Sequence, residues 1–66
     1  MLKLNSLLPL VHGEFKVIIH KLHDVPHNLG SGFNGMFLED VAVDNMIVST
    51  ITPTNNILVI EVFEDL

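Results

Sequence analysis

The sequence predicts an α+β domain in which a short N-terminal helix packs on a small three-stranded, mainly antiparallel sheet ending in a C-terminal β-hairpin. Three observations point there. In residues 46–63, two runs rich in Ile, Val and Thr flank Pro53-Thr54-Asn55-Asn56, and Asn tolerates the positive φ that tight hairpin turns require. Residues 14–22 alternate apolar and mixed positions with the period of a strand. A leucine cluster between Asn5 and Gly13 carries the punctuation of a helix of about two turns.

Asn5 or Ser6 can cap that helix, Pro9 falls within or just past its first turn where a missing N–H costs least, and Gly13 supplies the stop. Leu7, Leu8, Leu10 and Val11 are its only apolar residues, so it depends on tertiary packing and is expected to cover one sheet face. In the first strand Phe15, Val17 and Ile19 face one way, and Lys16, Ile18 and His20 the other. Residues 23–36 then lose the hydrophobic period and carry Pro26, Gly30, Gly32 and Gly35, which reads as a long His/Gly-rich loop. Phe33 and Phe37 either anchor that loop on the core or stand ready for a partner.

Residues 36–45 are expected to form an irregular turn leading into strand, because Phe37-Leu38-Glu39-Asp40 suits a helical turn while Val41-Ala42-Val43 prefers extended structure. The second strand should run to about Thr52 and the third over residues 57–63. In the third, Leu58, Ile60 and Val62 share one face; Ile57, Val59 and Phe63 share the other, interrupted by Glu61. Both faces want cover, and one short helix can cover one of them. Ile57, Val59 and Phe63 are therefore the expected oligomer interface, with a dimer as the simplest arrangement.

Composition narrows the class. Residues 1–66 make a single small domain, and a core of that size rarely supplies more than about 3–5 kcal/mol without a staple. Cysteine is absent, which removes disulfides, Cys-ligated zinc and thiol chemistry, and leaves a partner subunit or a histidine-bound metal as support. The chain is 48% apolar with a mean hydropathy of +0.50, yet no run approaches the ~18 residues of a membrane span, and Leu7-Leu8-Pro9-Leu10-Val11 is shorter than a secretory core of about 7–15 residues. A cytoplasmic location without membrane contact is the expectation.

Lys3, Lys16 and Lys21 are the only basic residues besides histidine, and Arg is absent. Direct nucleic-acid binding, which needs Lys and Arg against phosphate, is disfavoured. The acids Glu39, Asp40, Asp44, Glu61, Glu64 and Asp65 have no basic counterpart after Lys21 and could meet a basic groove on another protein, although the commoner role of such charges is to keep an apolar chain soluble.

His20, His23 and His27, with Asp24 between them, form a candidate site for zinc, nickel or copper. Pro26 biases Val25 away from helix and His20 lies in a strand, so a turn would have to gather them. Gly30-Ser31-Gly32-Phe33-Asn34-Gly35 matches the dinucleotide pattern G-x-G-x-x-G, but no helix follows to meet a pyrophosphate. Ser31 stands in Gly-Ser-Gly rather than a nucleophile elbow, and the adjacent Glu39 and Asp40 diverge if extended. Neither a cofactor nor catalysis is implied.

Phe15-Lys16-Val17-Ile18-Ile19, then Val48-Ser49-Thr50-Ile51, a polar turn and Ile57-Leu58-Val59-Ile60-Glu61-Val62 resemble small proteins encoded by phages and prophages of Gram-positive bacteria. The likeness covers about two-thirds of the chain and is one of hydrophobic pattern; the His/Gly stretch between the first strand and the hairpin departs from it. The resemblance implies a small accessory protein, a type that phages use to inhibit host machinery, defence systems included. The expected function is a non-enzymatic interaction module that binds and blocks a host protein. The alternatives are a metal- or ligand-binding domain built on His20, His23 and His27, and a self-assembling structural subunit.

Overall fold

Alternation places β1, Glu14–His20, at the centre of a five-stranded mixed sheet in the computed structural model, which describes residues 1–64. Before it come the helix α1, Leu4–Leu7, and a 3-10 turn, Leu8–Leu10. After it come β2 (His27–Phe33), β3 (Met36–Phe37), β4 (Met46–Thr54) and β5 (Ile57–Glu64), in the spatial order β3-β2-β1-β5-β4. β1 runs parallel to β5 and antiparallel to β2; the β2–β3 and β4–β5 pairs are antiparallel. The α+β class stands, with five strands in place of the expected three.

The helix is capped at Lys3, two residues before Asn5 and three before Ser6, the expected caps. Lys3 occupies the cap position without a side-chain hydrogen bond, and its carbonyl accepts the N–H groups of Ser6 and Leu7. Pro9 cannot donate an intrahelical hydrogen bond, so the helix tightens into the 3-10 turn, which Val11 N–H closes on the Leu8 carbonyl. Gly13, at φ +84, then redirects the chain into β1. Leu4, Leu8 and Val11 pack on Phe15, Val17 and Ile19 of β1, Ile60 and Val62 of β5, and Met46. This is the apolar face expected of β1, and it is the core.

The expected loop over residues 23–36 is largely ordered strand. β2 pairs with β1 from Glu14↔Phe33 to Ile19↔His27, and the register sets Gly32 opposite Phe15 and Gly30 opposite Val17 on the core side. Both glycines leave room for an aromatic pair: the Phe37 ring stands edge-on to Phe15, with centroids 5.3 Å apart and planes at 73°. A Cβ on Gly32 would run into the Met36 carbonyl and the Phe15 ring, and one on Gly30 would crowd Phe37 and Val41. Glycine there provides clearance rather than flexibility. Leu29 is the extra residue of a bulge opposite Val17 and Ile18, and it turns inward onto the core.

Asn34 and Gly35 have φ of 52 and 80, and Asn55 and Asn56 have φ of 42 and 69, so both hairpins close through two-residue turns with positive φ at each central position. Asn34 also ties the first hairpin to the start of β1: its N–H donates to the Gly13 carbonyl at 3.0 Å, and its Oδ1 accepts the Gly13 N–H at 2.8 Å. Residues 38–45 remain irregular, as expected, and lead into β4.

The far face of the sheet is open except at the start of β4, where Ile47, opposite Phe63, is buried. Phe33 is 52% and Phe63 39% exposed on this face, while Ile18, Ile57 and Val59 are half-buried. Phe33 and Phe37 thus part company, the first exposed on the far face and the second partly buried against the core.

Gly32→Ala is expected to cost about 2–3 kcal/mol, since the backbone it strikes cannot move away, whereas Gly30→Ala meets only side-chain ends and should cost about 1 kcal/mol. Urea denaturation followed by circular dichroism measures both.

Candidate functional site

The open face is built around Glu61. In the β1–β5 register Ile18 lies directly across from it, and Val59 and Phe63 flank it two residues away on either side. An apolar frame therefore encloses a carboxylate. Its Oε1 accepts a hydrogen bond from His20 Nε2 at 2.7 Å, and its Oε2 accepts one from Thr50 Oγ1 at 2.6 Å. The bulge in β4 makes this possible: the register slips between Val48 and Thr50, so Thr50 rather than Ser49 stands opposite Glu61, while Ser49 Oγ donates to the Glu61 carbonyl. Thr50 first, and His20 second, hold the Glu61 carboxyl below its ordinary value of 4.5.

This cluster does not form a nucleophilic triad. Hydroxyl and imidazole both donate to the carboxylate between them, so the imidazole is not placed to take the hydroxyl proton.

The three candidate metal ligands are dispersed. His20 shares the open face with Glu61, whereas His27 pairs with Ile19 on the other side of the pleat. His23 sits in the connecting turn at φ 62. His27 Nε2 instead bonds Asp24 Oδ2 at 3.0 Å, and Asp24 Oδ1 accepts the Val25 N–H; these bonds, with His27 the larger cause, lower the Asp24 pKa. Among the described residues no group of three or more His, Cys, Asp or Glu could hold a metal ion. The G-x-G-x-x-G match is accounted for by β2 and its hairpin, with no helix after it.

The acids divide between surfaces. Glu39, Asp40 and Glu64 line one cleft of about 520 Å³ on the core side of the sheet end, together with Lys21 and His27. Asp44 is exposed in the turn before β4, Glu61 belongs to the open face, and Asp65 lies outside the described residues. No helix among the described residues is long and apolar enough to cross a membrane. Ile18 and Thr50 are the site residues that the sequence reading did not single out; alternation in β1 already sets Ile18 beside His20's face, but the bulge that brings Thr50 to Glu61 leaves no pattern in the chain.

Because the Glu61 pKa is lowered on folding, its ionised form adds stability at pH values above about 4.5, and that contribution is lost as the pH falls through the lowered value. Thr50→Val should raise the Glu61 midpoint in a carboxyl NMR titration, and the stability gap between wild type and Glu61→Gln should close in acid. No protein-family model matches the chain, and no curated protein or solved structure is significantly similar to it.

Proposed function

We propose that the chain is a non-enzymatic protein–protein interaction module with two contact surfaces. A second copy covers the open face through Ile18, Ile57, Val59 and Phe63, and the acidic cleft of Glu39, Asp40 and Glu64 meets a basic surface on a host protein that the module blocks. The observation that carries this reading is the uncovered sheet face. A buried core on one side and large apolar groups on the other is the condition of half an interface.

The dimensions allow a small dimer interface. Eight residues of β5 at about 3.3 Å each, across five strands about 4.8 Å apart, bound a face of at most about 630 Å² per partner, the small end of specific interfaces. Its charges suit self-pairing, since Glu14 and Lys16 lie on it with opposite signs. Strand addition at the edges is less favourable. β4 carries a bulge and Pro53, Leu2 and Lys3 cover part of its outer side, and β3 has only two residues. The host-protein part of the reading follows the resemblance to small phage and prophage proteins.

Light scattering coupled to size exclusion, with refractive-index detection because Trp and Tyr are absent, should give a dimer for the wild type and a monomer for Val59→Lys. A wild-type monomer at every concentration removes the self-pairing half. For the host half, a captured protein should be lost on Glu39→Lys with Asp40→Lys and at high salt; capture that survives both contradicts the acidic cleft.

A further inference from the structure

We infer that the pairing of two open faces is proton-linked, with His20 taking up a proton as the second copy covers Glu61. The inference rests on the open face being a contact surface and concerns how that contact is regulated.

Ile18, Val59 and Phe63 frame Glu61, so any protein surface that covers them also removes water from the carboxylate. Hydrogen bonds from Thr50 and His20 satisfy its oxygens, and its charge is cancelled only where the imidazole carries a second proton. A carboxylate taken out of water needs an opposite charge, and the imidazolium of His20, 2.7 Å away, is placed to supply it. In a two-fold pair the demand arises twice, once in each copy. Histidine is the side chain whose charge ordinarily changes between about pH 5 and about pH 8. Dimerisation should therefore strengthen as pH falls through that range and weaken as it rises, by up to two protons per dimer, or at most about a hundredfold per pH unit.

The neighbouring charges are few. On the same face β1 adds Glu14 and Lys16; Asn28, Ser31 and Phe33 of β2, and Thr50, Thr52 and Thr54 of β4, add none. Lys21 and Glu64 share with His20 and Phe63 a hollow of about 600 Å³ at the end of the sheet. Carboxylates and ammoniums do not ordinarily change charge in that range. His27 is engaged with Asp24 on the other side of the sheet, which makes it the control.

Sedimentation equilibrium on the full chain between about pH 8 and about pH 5.5 tests the inference. The wild type should dimerise at least about tenfold more tightly at the acid end. Glu61→Gln should dimerise tightly with little pH dependence, His20→Gln weakly with little pH dependence, and His27→Gln like the wild type. Circular dichroism confirms the sheet in each variant, with His20→Asn as the substitute where glutamine disturbs β1. A wild-type dimer equally tight across the range, or a pH dependence that follows His27 instead of His20, overturns the proton linkage alone. A monomer at every pH and concentration overturns the open-face reading beneath it.

Discussion

The edge-to-face packing of Phe37 on Phe15 requires a neighbouring strand with nothing in the way, and Gly30 and Gly32 make β2 that strand. Much of the molecule follows. With two core-facing positions of β2 empty, the aromatic pair closes the core beside Val17, and the chain after β3 passes over the same side. The helix and the 3-10 turn close the rest of it with Leu4 and Leu8. Nearly all the apolar cover is thus spent on one layer, with Ile47 buried on the other at the start of β4, as a sheet of this area in so short a chain demands.

That one-sidedness decides what kind of surface remains. The open face is neither a plain solvent face nor a second core. Lys16, His20, Glu61 and the β4 threonines keep it wettable, while Ile18, Val59, Phe33 and Phe63 give it area worth hiding. Its polar residues are organised by one carboxylate, and the β4 bulge makes Thr50 rather than Ser49 the residue opposite it. If a second copy covers this surface as proposed, an adjustable charge serves both its wet and its covered state, and a histidine beside a carboxylate is the least elaborate means of adjustment.

Side-chain periodicity made β1 and the core face readable, and β-branched runs around Asn55-Asn56 made the C-terminal hairpin readable. β2 escaped for the complementary reason: its core-facing positions are Gly30 and Gly32, so the residues that would have shown the alternation are absent while the backbone pairing is intact. Asn34-Gly35 was a local hairpin signal hidden inside an apparent loop. The third strand's two apolar faces stand as read, with Leu58, Ile60 and Val62 on the core side and Ile57, Val59 and Phe63 on the other. Spacing along the chain placed His20, His23 and His27 together, but the pleat sends His20 and His27 to opposite sides. Proximity in sequence gives no sense of which side of a sheet a residue serves.

The parallel pairing of Glu14 with Ile57 and of His20 with Phe63 has a kinetic consequence. The centre of the sheet is stitched from strands near opposite ends of the chain, and the intervening hairpins must be gathered before that seam can close. Topologies dominated by such non-local contacts fold slowly, on the order of milliseconds to seconds, and with little stable structure beforehand. Until β5 docks, β1 lacks one of its two neighbours and the core lacks Ile60 and Val62. Docking of β5 is therefore the event that completes both the central seam and the core.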